Sequence, residues 1–127
     1  MANRFAMKKM GGVVSDFQYS MWWNGGMRTA PYYHNQIGIL TETSHSTPTP
    51  RYYDPEKKPE TIGSRRSGMV NTGTDIFLPL PWEAGESHFR QAVDYMLTAS
   101  MGVLNIAADL REKWLYDIYI MGRDAIE

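Results

Sequence analysis

The sequence contains no cysteine, and this absence excludes two kinds of structural support. Without thiols the chain forms neither a disulfide framework nor a thiolate-ligated metal centre. The absence of cysteine is compatible with a location of the protein on either side of a membrane. A run of about 18 or more apolar residues is also missing, which excludes a membrane-spanning helix. The first residues lack the apolar stretch of a signal peptide, so they resemble the middle of a protein more than its start.

The sequence also lacks an excess of positive or negative charge. The chain has 13 basic and 14 acidic residues, which gives a formal net charge of -1. Basic pairs such as Lys57-Lys58 and Arg65-Arg66 lie in loop-like sequence. Since nucleic acids and anionic membranes are bound by concentrated positive charge, neither partner is expected. The length of 127 residues is sufficient for one domain with a hydrophobic core.

Three zones differ in composition. Residues 1–47 are rich in aromatic residues and glycine, and they hold two candidate strands, at residues 12–17 and 37–42. Residues 48–86 contain all but one of the prolines and are predicted to form a long loop. Residues 87–126 are predicted to be helical. We therefore expect an α/β chain with two short strands, a long proline-rich loop and a long C-terminal helix or helix pair.

The C-terminal zone has the apolar spacing of a helix. Ser87 follows Gly85 and is suited to cap the first turn. Because no proline interrupts the zone, a kink or break is expected near Gly102 or Asn105. The apolar positions with helical spacing are Phe89, Val93, Met96, Leu97, Val103, Leu104, Ala107, Leu110, Trp114, Ile118 and Met121.

Residues 36–45 contain the most informative pattern. Residues 37–40 include consecutive apolar side chains, which is typical of a strand buried on both faces. In α/β proteins such a strand carries the residues after it to the rim of the sheet, where ligands bind. Glu42 is therefore placed where a carboxylate can act chemically. Considered by itself, however, a carboxylate at a strand end is more often a solvated side chain.

The order of these features is similar to that of a known enzyme family. A glycine-rich aromatic segment comes first, an apolar strand then ends at Glu42, and a loop leads to a closing helix. Residues 33–43 closely resemble the strand that carries the catalytic glutamate in bacterial zinc metallocarboxypeptidases of the carboxypeptidase A type. The resemblance covers most of the chain and includes residues 85–90, which lead into the last helix. It implies that residues 1–127 are a C-terminal part of that mixed-sheet catalytic domain.

For Glu42 the resemblance implies the role of general base and acid in the hydrolysis of a C-terminal peptide bond. In the family, a His-x-x-Glu motif and a later histidine hold zinc, which lowers the pKa of bound water from roughly 16 to about 7. The matching glutamate takes a proton from this water and passes it to the leaving amine. The family also closes an aromatic hydroxyl over its substrate, and Tyr19 is the nearest match by spacing. The implied cofactor is zinc, and the implied partner is a peptide substrate.

The family's zinc ligands are missing from this sequence. Its histidines are His34, His45 and His88, and it contains no His-x-x-Glu motif. Glu42 and His45 alone are too few for a stable zinc site, which needs three protein ligands. We therefore expect this chain to hold no zinc alone and to be inactive alone. It is interpreted as a C-terminal piece of a longer enzyme, or as a truncated reading frame that begins at an internal methionine.

Residues 22–28 contain further candidates for binding. Trp22 and Trp23 either line a substrate groove or pack at an edge of the core. The Asn24-Gly25-Gly26 sequence predicts a turn, since these residues adopt positive φ at low cost. Arg28 can pair with a substrate carboxylate because a guanidinium donates two parallel hydrogen bonds, although no motif of the family assigns this role.

An alternative function follows if the domain is incomplete. Half of a sheet leaves an unpaired strand edge and an apolar surface, and both promote self-association. The chain would then be a non-catalytic remnant that binds peptides, the missing N-terminal part of the domain or a second copy of itself. A secreted or periplasmic parent is suggested by the resemblance only, and the sequence itself assigns no compartment.

Overall fold

The computed structural model describes residues 2–13, 22–43, 47–58, 60–62, 69–70 and 80–127. These residues form a mixture of helices and short antiparallel strands. In chain order, the elements are α1 (Ala2–Met7), a 3-10 helix (Ala30–His34), β1 (Arg51–Tyr53), a second 3-10 helix (Pro55–Lys57), β2 (Thr61–Ile62), β3 (Met69–Val70), β4 (Gly85–Ser87), α2 (Phe89–Asp109) and α3 (Arg111–Asp124).

The chain divides into two compact units, each built from two separate stretches of sequence. The first unit comprises Met1–Tyr19 and Glu42–Ser100. The second unit comprises Ser20–Thr41 and Met101–Glu127. None of the helices within the described ranges is both long enough and apolar enough to cross a membrane.

Two antiparallel strand pairs lie in the first unit. In one pair, β1 and β4 place Arg51 opposite Ser87 and Tyr53 opposite Gly85. In the other pair, β2 lies beside β3. Apart from Ser87 of β4, these four strands lie in the zone of residues 48–86 that was predicted to form a long loop, so that prediction was wrong where they occur. The prolines interrupt backbone donors and limit strand length, but they still permit strands of two or three residues.

Helix α1 contacts α2 through one aromatic pair, and the residues just after α1 form two hydrogen bonds to α2, all within the first unit. The ring of Phe5, which is buried, lies 5.9 Å from the ring of Tyr95. The Lys8 ammonium donates a hydrogen bond of 2.8 Å to the hydroxyl oxygen of Thr98. The Tyr95 hydroxyl donates a bond of the same length to the carbonyl oxygen of Gly11. A six-residue helix is too short to be stable alone, so these contacts maintain it.

The helical prediction for the C-terminal zone is confirmed as a helix pair. Helix α2 ends at Asp109, and α3 begins at Arg111. The break falls at Leu110, which has φ of -106° and ψ of 12°, so the expectation of a break near Gly102 or Asn105 was wrong. Gly102 is buried inside α2. A glycine costs only about 1 kcal/mol in a helix interior, which the packing of a long helix can offset.

The start of α2 also differs from the prediction. Ser87, the expected cap, lies in β4 instead, where it pairs with Arg51. His88 is the residue before the helix, and its backbone N–H donates a 2.7 Å hydrogen bond to the side-chain oxygen of Gln91. A Gln that reaches back three residues in this way forms one half of a capping box.

The strand predicted at residues 37–42 is absent. Residues 36–43 have no regular secondary structure, and the side chains of Ile37, Ile39 and Leu40 are between 49% and 55% exposed. A strand with consecutive apolar residues needs neighbours on both edges and both faces, and the described part of the chain supplies no such neighbours. The other candidate strand, at residues 12–17, lies mostly outside the described residues.

Candidate functional site

Glu42 follows the apolar run of residues 37–40, whose large side chains are exposed. Its side chain is exposed, and it forms no ion pair with any lysine, arginine or histidine that the structure describes. The arrangement therefore leaves the carboxylate accessible to a substrate.

The apolar run is attached at Gly38, in the second unit. The Tyr32 hydroxyl donates a 2.7 Å hydrogen bond to the Gly38 carbonyl oxygen. A Cβ atom at Gly38 would lie 1.9 Å from the carbonyl oxygen of Arg28. Any larger residue would therefore clash with this oxygen unless the backbone shifted. Glycine is thus required where the run passes the backbone of Arg28.

The histidines do not form a metal centre with Glu42 among the described residues. His34 ends the first 3-10 helix and is exposed, while His88 Nε2 lies 3.3 Å from Oε1 of Glu86. Within the described ranges, no group of three or more His, Asp or Glu side chains is arranged to hold a metal ion. These residues therefore do not fit zinc by themselves. His45 and Tyr19 lie outside the described residues.

A small cavity in the second unit brings together residues that the sequence marked separately. Trp22, Trp23, Gly26, Arg28 and Thr29 line a volume of about 150 Å³. Trp22 is 85% exposed and Trp23 is 58% exposed. Both tryptophans line this cavity, and a role for them in a substrate groove stays a prediction.

The wall of this cavity is a turn at residues 23–26, as the sequence predicted. The Gly26 N–H donates to the Trp23 carbonyl oxygen over 3.4 Å. The Thr29 hydroxyl donates to the same Trp23 oxygen and lies 3.1 Å from the carbonyl oxygen of Gly26. Thr29 is only 3% exposed, and it is the cavity residue that the sequence analysis missed. A threonine that follows a turn signal by three residues is a recognisable sign of such side-chain-to-backbone bonding.

The indole of Trp23 lies against the backbone of this turn. A Cβ atom at Gly25 would lie 3.0 Å from Trp23 Cε2 and Nε1. A Cβ atom at Gly26 would lie 2.8 Å from Thr29 Oγ1. The two glycines therefore have a packing role: they let the aromatic ring and the threonine hydroxyl approach the main chain.

Arg28 differs from other arginines in the structure. Arg90, Arg111 and Arg123 each pair with a carboxylate on their own helix. Arg28 is half-buried, and no carboxylate of the described residues lies within the 4.0 Å of an ion pair. The exposed Arg51 of β1 likewise forms no ion pair with a carboxylate of the described residues.

Comparison with known proteins identifies no relative of this chain. No family model, no curated protein and no solved structure matches the chain.

Proposed function

We propose that this chain is the C-terminal segment of a zinc-dependent metallocarboxypeptidase domain and supplies Glu42 as the catalytic base. The sequence of residues 33–43 supports this proposal because it resembles the glutamate-bearing segment of that family. The exposure of Ile37, Ile39 and Leu40 also supports the proposal, because a run of consecutive apolar residues is typical of a strand that other strands cover. In the proposal, the rest of the catalytic domain supplies those strands.

The proposed reaction is hydrolysis of a C-terminal peptide bond. Glu42 removes a proton from the attacking water as its oxygen bonds to the carbonyl carbon, and it then delivers that proton to the leaving amine nitrogen as the C–N bond breaks. Zinc, if the rest of the complete domain held it, would supply the polarising charge for this chemistry. A positioned general base contributes about 10²- to 10⁴-fold to a rate.

The first test is the reading frame upstream of the Met1 codon. An in-frame extension that encodes His-x-x-Glu and a later histidine would support the proposal. A stop codon close upstream would leave a base without a metal and would favour the alternative function.

The decisive variant is Glu42→Gln in the complete polypeptide, loaded with zinc and assayed on an N-acylated dipeptide with a free C-terminus. We expect kcat to fall by about 10²- to 10⁴-fold with zinc content unchanged, since only the proton transfer is lost. The matched control is Glu56→Gln, which removes an exposed carboxylate in the second 3-10 helix. A Glu42→Gln enzyme with the parental kcat would contradict the proposal.

A second candidate function is a non-catalytic remnant that associates with itself or binds peptides. The observation that favours it is the large number of exposed apolar side chains, which in the second unit include Leu104, Leu115 and Tyr119. Apolar surface of this extent promotes association in water.

A further inference from the structure

We propose that Asn24 is a site of spontaneous covalent modification, at which the side-chain amide becomes a carboxylate through an internal imide formed with Gly25. The site lies in the turn at residues 23–26, within the second unit. The modification requires neither Glu42 nor zinc, so it can fail or succeed independently of the proposed enzymatic function.

The turn places both reacting groups at the surface. The hydrogen bond from the Gly26 N–H to the Trp23 carbonyl oxygen makes Asn24 and Gly25 the central residues of a β-turn. Both central residues are exposed. Among the described residues, no hydrogen bond involves the Asn24 side chain or the Gly25 N–H. The amide carbon and the main-chain nitrogen that must meet are therefore accessible to each other and to water.

The chemistry needs only these two neighbours and water. The Gly25 nitrogen loses its proton to hydroxide and attacks Cγ of Asn24, so a C–N bond forms, the imide ring closes and the side-chain nitrogen leaves as ammonia. Water then breaks one of the two C–N bonds of the imide. Cleavage at the former side-chain carbonyl leaves an aspartyl residue, and cleavage at the main-chain carbonyl leaves an isoaspartyl residue.

Glycine at position 25 favours the attack. A residue without a Cβ atom does not crowd the nucleophilic nitrogen and gives the backbone the freedom to reach the side chain. The same position has no room for a larger residue, because a Cβ atom there would lie 3.0 Å from Cε2 and Nε1 of Trp23. The packing of this indole and the reactivity of Asn24 thus depend on the same glycine.

Two other asparagines are held in arrangements that oppose this reaction. The N–H after Asn35 belongs to Gln36 and donates a 2.9 Å hydrogen bond to the carbonyl oxygen of Pro31. Asn105 lies inside α2, where helical hydrogen bonds fix the main chain on both sides of it. Conversion is therefore expected at Asn24 before either of these positions.

The isoaspartyl product would change the turn. It adds one main-chain atom between the Trp23 carbonyl and the Gly26 N–H, so their hydrogen bond no longer closes the same ring. The Thr29 hydroxyl donates to the same Trp23 oxygen, so its bond is affected as well. The aspartyl product keeps the length of the main chain and adds only a negative charge.

The first test incubates the 127-residue chain in mildly alkaline buffer. Peptide mass spectrometry locates the new acid, and labelling by an isoaspartyl methyltransferase measures the isoaspartyl product. We expect Asn24 to convert at least about tenfold faster than Asn35. Its rate should be within about threefold of that in a synthetic peptide of residues 22–28, because the site is open without local unfolding.

Matched variants test the assignment. Asn24→Gln keeps an amide but would have to close a ring one atom larger, so the isoaspartyl signal should fall by at least about tenfold. Asn35→Gln is the control and should leave the signal unchanged. In the purified isoaspartyl form, the NMR signal of the Trp23 indole N–H should move further from its parental position than in Asn24→Asp, which adds the charge alone. Far-UV circular dichroism confirms that each variant is folded.

Either of two results would overturn the proposal. One is an Asn24 that stays intact in the folded chain while the peptide of residues 22–28 converts. The other is a folded Asn24→Gln variant that accumulates isoaspartyl residues as fast as the parent chain does.

Discussion

At the residue scale, the hydroxyl of Tyr95 joins α2 to the backbone that follows α1. It donates a 2.8 Å hydrogen bond to the carbonyl oxygen of Gly11. Desolvation by burial raises the pKa of Tyr95 above its usual 10.0. The folded state thus favours the neutral phenol. The resulting stability is fully present below about pH 10 and is lost as the pH rises through the raised pKa of the folded state.

Tyr95→Phe is predicted to lower the free energy of unfolding by about 1 kcal/mol at neutral pH, since one hydrogen bond is lost. It should also remove the share of alkaline destabilisation that comes from this phenol. Urea denaturation at pH 7 and above pH 10 measures both effects. Tyr52→Phe is the control, because Tyr52 is exposed on β1. An alkaline loss that is the same in Tyr95→Phe and the parent chain would contradict the assignment.

At the element scale, the first turn of α2 depends on one side chain. The side-chain oxygen of Gln91 accepts the N–H of His88, a donor that would otherwise lack a partner within the helix. Gln91→Ala removes this acceptor and is predicted to lower the free energy of unfolding by about 0.5–1 kcal/mol.

Gln91→Glu is the matched variant for that prediction. A carboxylate accepts the same hydrogen bond and interacts favourably with the positive end of the helix dipole, so stability should equal or exceed that of the parent chain. Urea denaturation followed by circular dichroism compares the three chains. Equal stability of the Ala variant and the parent would show that the His88 bond does not contribute.

The helices and the expected strand differ in how far a sequence can specify them. Helices α2 and α3 are indicated by apolar spacing within the element itself, and the structure confirms them. The run at residues 37–40 is apolar in the same clear way, but a strand exists only when another strand pairs with it. The strand prediction was therefore wrong, because no strand of the described residues pairs with this run.

At the scale of the whole molecule, exposed apolar side chains outnumber buried ones among the described residues. The buried apolar side chains are Phe5, Ala92 and Ala99. On α3, Leu115 and Tyr119 are both exposed and stand one helical turn apart, so their side chains form a continuous apolar surface. Surface of this kind is removed from water when two copies associate.

The isolated chain is therefore predicted to self-associate and to bind a hydrophobic dye. Replacing Leu115 and Tyr119 together by Ser should raise the concentration needed for association by about tenfold or more, because apolar area is lost. Concentration-dependent size-exclusion chromatography and dye fluorescence measure this. Glu112→Ser, a change at an exposed polar position of the same helix, is the control. A parent chain that is monomeric and binds no dye would argue against the remnant function.

The candidate site shows the same division between local and distant information. The sequence offered Trp22, Trp23 and Arg28 as candidates for binding, with core packing as the alternative for the tryptophans, and it predicted the turn at residues 24–26 from residue type and near neighbours. It did not indicate that the Thr29 hydroxyl donates a hydrogen bond to the Trp23 carbonyl oxygen. It also did not indicate that Gly38 lies close to the carbonyl oxygen of Arg28. Both contacts join residues whose relation depends on the path of the chain between them.

The sequence by itself determined that the C-terminal zone is helical, that residues 24–26 form a turn and that thiol chemistry is absent. These follow from composition and from spacing over one or two turns. Only the tertiary structure decided that the apolar run is uncovered, that the helix breaks at Leu110, and that Arg28 shares a cavity with two tryptophans. Burial and pairing depend on which distant residues meet, and a local pattern does not contain that information.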